Sequence, residues 1–177
     1  YDFINSQVED LEISLDNLNK TINKIDEESQ AAFLGTFNLI SSKYDEYVKR
    51  LFGGGEGKLM LTNPESLKDS GIEVMLKIGL KKYRTLKSYS GGERALAGIA
   101  LLLSAYYVRP APFLLLDEVD APLDDKNITK FGEMLEEISK LSQVAIITHN
   151  KRTMKFVNKL IGVTSRVEGI SEVVPVE

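Results

Sequence analysis

The sequence contains no cysteine and a single histidine. The absence of cysteine excludes a disulfide framework, a thiolate metal site and a cysteine nucleophile, and one histidine excludes a histidine-rich metal site. No apolar run approaches the roughly 20 residues that a membrane-spanning helix requires. We therefore expect a protein that has no disulfides and does not cross a membrane.

The composition is that of a chain that folds around a core. Of 177 residues, 43% are hydrophobic and 27% are charged, which predicts one ordinary domain or one domain with an appendage. The 22 basic and 26 acidic residues give a net charge of −4, which argues against a surface that coats nucleic acid but permits a local basic patch. Because the sequence starts at Tyr1 and has no signal peptide, we expect a piece of a longer protein.

Residues 1–30 carry a narrow heptad seam, which predicts a coiled-coil arm. A two-stranded coiled coil buries only the a and d positions, whereas a helix on a globular core needs a wider apolar face. The alternative is an amphipathic helix packed on its own domain. The seam residues are Tyr1, Ile4, Val8, Leu11, Leu15, Leu18, Ile22 and Ile25.

Residues 31–177 are predicted to form an α/β domain. A helix over 31–52 has a wider, aromatic apolar face and ends at Gly53-Gly54-Gly55, where we place a boundary. Short runs at 58–62 and 71–80 predict paired antiparallel strands. Further along, the pattern predicts a buried helix over 91–107, a βαβ unit with a parallel sheet buried on both faces, and two final strands. The βαβ unit covers 113–116, 125–141 and 144–147, and the final strands cover 160–165 and 172–176.

Polar residues follow both strands of the predicted βαβ unit. Asp117-Glu118 ends the first apolar run, as in a Walker B segment, in which the Asp serves Mg²⁺ and the Glu takes a proton from water. The alternative is a buried strand that ends in two solvated acids. His149 follows the second strand, where it is placed to contact a γ-phosphate or the attacking water, although a lone histidine is more often structural.

A second phosphate-binding signal precedes the buried helix. In Ser90-Gly91-Gly92-Glu93, free N–H groups, the helix dipole and the Ser90 hydroxyl form an anion site. The same spacing is also that of a capping box, with Ser90 and Glu93 as the reciprocal pair. Both interpretations use the same backbone donors, so the spacing alone does not separate them.

The segment around Gly57-Lys58 is a false match to a P-loop. The motif requires glycine where Phe52 stands and Ser or Thr where Leu59 stands. The chain therefore lacks a Walker A motif, and we expect half of the nucleotide site to lie outside it.

Together these motifs resemble the ATPase head of structural maintenance of chromosomes (SMC) proteins. The resemblance covers about Leu51 to the end of the chain and implies the C-terminal half of an ABC-type P-loop NTPase head from a prokaryote. That half is an α/β lobe with a parallel sheet core and flanking helices, preceded by a coiled-coil stump. The matching stretches are LFGGG at 51–55, YSGGERAL at 89–96, RPAPFLLLDEVDAPLDD at 109–125, ITHNK at 147–151 and GVT at 162–164.

The resemblance also implies residue roles in binding ATP and Mg²⁺. Asp117 would serve Mg²⁺, Glu118 would be the catalytic base and His149 the switch histidine. The signature, which touches ATP on the opposite head, would be Ser90, Gly91, Gly92 and Glu93, and the D-loop would be Ala121, Pro122, Leu123 and Asp124. Tyr89 stands where the family usually has Leu, and we expect little effect from this difference.

The implied partners are the N-terminal half of the same head, which carries Walker A, a second head in a homodimer, a kleisin subunit and DNA. The implied function is ATP hydrolysis that drives chromosome condensation and segregation in the cytoplasm, at the nucleoid. We located no DNA contacts, because the basic cluster of Lys81, Lys82, Arg84 and Lys87 is more typical of a solvated face.

Three other interpretations remain open at this point. A coiled-coil ABC ATPase of double-strand-break repair shares the motifs and the arm, but the Walker B context and the triple glycine favour the SMC resemblance. The heptads and the missing P-loop argue against the nucleotide-binding subunit of a transporter. A pure interaction module with vestigial ATP motifs is disfavoured by the presence of Glu118.

Overall fold

The computed structural model describes residues 1–79, 82–167 and 169–176. Within these ranges the chain folds into α-helices and small sheets, so the expected α/β class is confirmed. The helices are Asp2–Phe52 (α1), Gly91–Val108 (α2) and Asp125–Ser139 (α3). The strands are Glu56–Leu61 (β1), Ile72–Lys77 (β2), Arg84–Thr85 (β3), Phe113–Asp117 (β4), Gln143–Ile147 (β5), Leu160–Val167 (β6) and Ile170–Val176 (β7).

The strands form three separate sheets in the described part of the chain. β1, β2 and β3 make an antiparallel sheet, β4 and β5 pair in parallel, and β6 and β7 form an antiparallel hairpin. The predicted antiparallel and parallel pairings are thus confirmed, although each strand starts or ends one or more residues from its predicted bounds. Leu80, at the end of the predicted strand 71–80, lies outside the described residues.

The first helix is continuous from Asp2 to Phe52, with no break at the predicted end of the arm. The heptad seam along its N-terminal half faces solvent. The seam side chains therefore do not pack on the rest of the domain, although Asp26 near the end of this segment pairs with Lys68. An exposed seam is the geometry that a coiled-coil partner requires, and the coiled-coil arm itself stays a prediction.

The last turns of α1 lie inside the core. Tyr44, Tyr47, Val48 and Leu51 are fully buried, and this part of the helix packs against α2 and β1. The helix ends at Gly53, whose φ of 65° places it in the left-handed conformation that glycine adopts without steric cost. One helix thus links the exposed seam to the folded domain.

A partly buried ion-pair cluster joins α1 to α3. Glu137 of α3 accepts hydrogen bonds from Nζ of Lys43 at 2.9 Å and from Nη1 of Arg50 at 2.7 Å. Partial burial acts to raise the pKa of Glu137, but the two cations outweigh it and hold that pKa below its ordinary value. The two elements are therefore held together by charge as well as by apolar packing.

The parallel pair β4–β5 is covered on one face, and the prediction of burial on both faces was wrong for this chain. Leu114 and Leu116 are buried in the common core with residues of α2 and α3. On the opposite face, Phe113 is 69% exposed, Leu115 60% and Ile147 53%. The apolar run reflects a sheet with two apolar faces, but the described elements of this chain cover only one of them.

No helix within the described ranges is both long enough and apolar enough to cross a membrane. The longest helix, α1, has charged and amide side chains throughout its exposed half.

Two helical glycines provide a matched test of the core. An ideal Cβ on Gly132 of α3 would lie 2.3 Å from the ring of Phe156, whereas one on Gly98 of α2 would meet nothing within 4 Å. We expect Gly132→Ala to destabilise the fold by about 1–3 kcal/mol through overpacking. We expect Gly98→Ala to stabilise it by about 1 kcal/mol, because alanine has the higher helix propensity. Urea denaturation measures both, and a shift in the same direction for the two variants would contradict this packing.

Candidate nucleotide-binding site

The carboxyl ends of β4 and β5 bring two predicted site residues together. Asp117 lies opposite Ile147 in the parallel register, and the N–H of Glu118 donates to the Ile147 carbonyl at 2.9 Å. Nδ1 of His149 lies 3.8 Å from Oε1 of Glu118. The expectation that Glu118 and His149 are neighbours at the strand ends is confirmed.

The carboxylate of Glu118 stands at an open edge of the domain. Its side chain is 60% exposed and that of His149 is 76% exposed. Glu118 also has a φ of 47°, in the left-handed region that residues other than glycine rarely adopt. Backbone strain of this kind costs about 1–3 kcal/mol and concentrates at functional sites. The geometry suits a base that water must reach.

Asp117 belongs to the uncovered face of the β4–β5 sheet. The alternation along β4 places it on the same side as Phe113 and Leu115, and all three are exposed. The described residues contain no group of three or more His, Asp or Glu side chains able to hold a metal ion. Nucleotide-bound Mg²⁺ needs only one or two protein carboxylates, since phosphates and waters complete its shell. Asp117 therefore fits an ion that is shared with a nucleotide.

The signature residues form the N-terminus of α2. Oγ of Ser90 accepts a hydrogen bond from the N–H of Glu93 at 3.3 Å, and Oε2 of Glu93 accepts one from the N–H of Ser90 at 2.9 Å. The capping box proposed as the simpler interpretation is thus present. It satisfies the N–H groups of Ser90 and Glu93, and leaves those of Gly91 and Gly92 without partners within the helix.

The two glycines of the signature are not required by packing within the described residues. An ideal Cβ on Gly91 would meet nothing within 4 Å, and one on Gly92 would lie 3.9 Å from the carbonyl oxygen of Pro122. Neither glycine has a positive φ. The free space over this helix end is what close approach of a ligand requires. The proximity of Pro122 to Gly92 places the signature beside the predicted D-loop.

The predicted D-loop is a tight connection between β4 and α3. The N–H of Ala121 donates to the Glu118 carbonyl at 3.1 Å, and that of Leu123 donates to the Asp120 carbonyl at 3.0 Å. Leu123 is buried, and Oδ1 of Asp124 caps α3 by accepting from the N–H of Asn127 at 2.8 Å. These hydrogen bonds hold the loop next to Glu118.

The sequence did not reveal the tertiary contacts of Tyr89, Asp120 or Thr148. The hydroxyl of Tyr89 donates to the Leu76 carbonyl at 2.6 Å and anchors the signature to β2. Burial raises the pKa of Tyr89. Asp120 is 1% exposed and accepts hydrogen bonds from threonine hydroxyls. The sequence offers one signal for Asp120, which is an acidic residue between the apolar Val119 and Ala121. This signal does not identify the hydroxyl groups that donate to it.

The basic cluster and the Gly57-Lys58 segment behave as a solvated face and a false P-loop match, as the sequence predicted. Of the basic cluster, Lys82, Arg84 and Lys87 are exposed, and Lys81 lies outside the described residues. Gly57 of the false P-loop lies within β1, where its N–H donates to the Asp45 carboxylate at 3.0 Å. It therefore belongs to a strand packed on α1 and not to a phosphate-binding loop.

Comparison with protein families finds a match over most of the chain. The family model described as "RecF/RecN/SMC N terminal domain" matches residues 5–172. The Chromosome partition protein Smc of Myxococcus xanthus is 43% identical over 176 residues, which is 99% of this chain and 15% of that protein. The chain thus spans about 15% of the length of the curated relative.

Solved structures show the same fold. The Smc head domain with an extended coiled coil from Pyrococcus furiosus, bound to the C-terminal domain of ScpA, superposes with a TM-score of 0.85 at 37% identity, covering 97% of this chain and 43% of that one. A chain from work on ATP-driven dimerization and DNA stimulated activation of SMC ATPases gives a TM-score of 0.75 at 36% identity, covering 83% of this chain and 89% of that one. The fold described above therefore matches part of the Smc head domain and most of the SMC ATPase chain.

The capping box provides a prediction for Ser90. Ser90→Ala removes the side-chain acceptor at the start of α2 and is expected to cost about 1 kcal/mol of unfolding free energy. Ser90→Thr keeps a hydroxyl in the same position and is expected to cost much less. Thermal denaturation of the two variants distinguishes them, and equal stabilities would show that the cap contributes nothing.

Proposed function

The chain belongs to the RecF/RecN/SMC N terminal domain family, and we propose that it is the C-terminal half of an SMC-type ATPase head. In this proposal residues 1–30 belong to the coiled-coil arm and residues 31–177 to the head. The head is completed by an N-terminal half that carries the P-loop. Two completed heads then enclose ATP, and hydrolysis separates them.

The observation that carries the proposal is the uncovered apolar face of β4–β5. Phe113, Leu115 and Ile147 are each more than half exposed on this face, and Asp117 lies at its end. Apolar surface of this kind marks an interaction site. In the proposal the P-loop half covers this face, and its phosphate-binding loop then lies next to Asp117.

In the proposed mechanism Glu118 is the general base. Its carboxylate is exposed at the strand end, where it accepts a proton from the water that attacks the γ-phosphate. His149, 3.8 Å from Glu118, donates a hydrogen bond to a γ-phosphate oxygen or orients that water. Asp117 would hold Mg²⁺, which would supply positive charge to neutralise the phosphates of the nucleotide.

The signature and the D-loop act across the proposed head dimer. The free N–H groups of Gly91 and Gly92, the helix dipole and the Ser90 hydroxyl bind the γ-phosphate of the nucleotide held by the opposite head. Glu93 keeps Ser90 in its capping position, at 2.9 Å between Oε2 and the Ser90 N. Ala121, Pro122, Leu123 and Asp124 line the dimer interface beside the signature. Each head therefore contributes to both nucleotide sites.

The proposed partners follow from the family relationship. The exposed seam of α1 pairs with the N-terminal arm helix of the same protein, and a kleisin subunit binds the head, as ScpA does in the Pyrococcus furiosus complex. DNA is the proposed cargo, and the proposed role is chromosome condensation and segregation at the nucleoid in the cytoplasm. The named relative, a chromosome partition protein, supports this assignment.

The proposal is tested by reconstituting ATP hydrolysis. The chain is assayed alone and after mixing with the P-loop segment of the same protein. We expect the chain alone to be inactive and the mixture to hydrolyse ATP, and Glu118→Gln to reduce the rate by about 10²–10⁴-fold, because it removes the general base.

The matched control is Glu133→Gln, the same change at an exposed position of α3. This variant is expected to retain the full rate. Hydrolysis by the chain alone would overturn the assignment of a missing P-loop. Activity that survives Glu118→Gln would overturn the assignment of the base.

A further inference from the structure

Asp120 is a buried carboxylate that the proposed mechanism does not use. It is 1% exposed and directly precedes the D-loop. Its Oδ2 atom accepts a hydrogen bond from Oγ1 of Thr148 at 2.6 Å and a second, short one from Oγ1 of Thr153. No cation forms an ion pair with it in the described part of the chain. Oδ2 of Asp120 therefore anchors the segment that follows β5 at both Thr148 and Thr153.

His149 lies between Thr148 and Thr153 in the sequence. Oγ1 of Thr148 donates to Asp120 and accepts from the N–H of Asn150 at 2.9 Å, so the threonine side chain closes a turn around His149. The imidazole is 76% exposed, and within residues 1–79, 82–167 and 169–176 its one polar contact is with Glu118. The position of the ring is thus set by the backbone and not by its own hydrogen bonds.

We propose that Asp120 is a positioning residue that holds His149 next to Glu118 through the hydroxyl of Thr148. Hydrogen bonds from hydroxyls to a buried carboxylate are stronger than those between neutral groups, so this anchor fixes the turn at 148–150. Because Asp120 is continuous with the D-loop, displacement of that loop is transmitted to His149. The catalytic part of the inference rests on the proposed function, whereas the geometric part does not.

The first test uses the single histidine of the chain as a reporter. The Cε1–H signal of His149 is assigned without ambiguity in a ¹H–¹³C spectrum of the full chain. We expect Thr148→Val to shift this signal towards the position of an unfolded chain, because the turn that places the ring beside Glu118 loses its anchor. Thr148→Ser keeps the hydroxyl and is expected to restore the wild-type position.

Thr153→Val is the matched control. It removes the other hydroxyl bound to Asp120, four residues beyond His149, while the turn at 148–150 keeps its anchor. We expect a loss of thermal stability similar to that of Thr148→Val but a smaller shift of the His149 signal. If the shift of the His149 signal in each variant is simply proportional to its loss of thermal stability, Asp120 has only a structural role.

The second test asks whether Thr148 acts through its hydrogen bond to Asp120 or only through the turn that it closes itself. Asp120→Asn keeps the shape but weakens the acceptor, and Asp120→Ala removes it. In the reconstituted head we expect Asp120→Ala and Thr148→Val each to lower kcat by up to about 10²-fold, with KM for ATP unchanged. The double variant is expected to be no slower than the slower single variant, because the two residues act as one unit.

The outcomes are distinguishable. The positioning role would be overturned if the losses in kcat of the two single variants multiplied in the double variant. It would also be overturned if KM for ATP rose while kcat stayed unchanged. Should Asp120→Ala fail to fold, Asp120→Asn replaces it in the same cycle with a smaller expected loss. An inactive wild-type head would count against the proposed function, while the His149 signal would still decide whether Asp120 positions the ring.

Discussion

The parallel pairing of β4 with β5 is the interaction on which the candidate site depends. The register aligns Asp117 with Ile147 and lets the Glu118 N–H bond to the Ile147 carbonyl at 2.9 Å. Parallel strands end at the same edge of a sheet, so residues that follow them in sequence meet in space. A register shift of one residue between β4 and β5 would separate Glu118 from His149 and would move Asp117 to the covered face.

The same pair of strands explains why the domain is open on one side. Its covered face packs Leu114 and Leu116 into the core with α2 and α3, while the other face remains apolar and exposed. The seam of α1 is exposed in the same way. Both surfaces are apolar where a self-contained domain would be polar. The exposed sheet face and the exposed helix seam are therefore two surfaces on which further elements can pack.

Much of this arrangement could be predicted from the sequence, because it depends on local patterns. Hydrophobic periodicity located the helices and the strands other than the two-residue β3, and the two apolar runs with polar ends predicted that Glu118 and His149 would meet. The prediction of burial on both faces of the sheet was wrong, because the pattern shows that both faces are apolar and not whether the elements of this chain cover them. The bonds of Asp120 to Thr148 and Thr153 depend on tertiary packing, and no spacing rule predicts them.

The most direct test of the central claim is calorimetric titration of the P-loop segment into this chain at several temperatures. The account predicts association with a negative heat-capacity change, because binding buries the apolar face that carries Phe113, Leu115 and Ile147. It also predicts that Leu115→Glu weakens the association, since the charge would be buried without a partner. Absence of association, or association that Leu115→Glu leaves unchanged, would contradict the account.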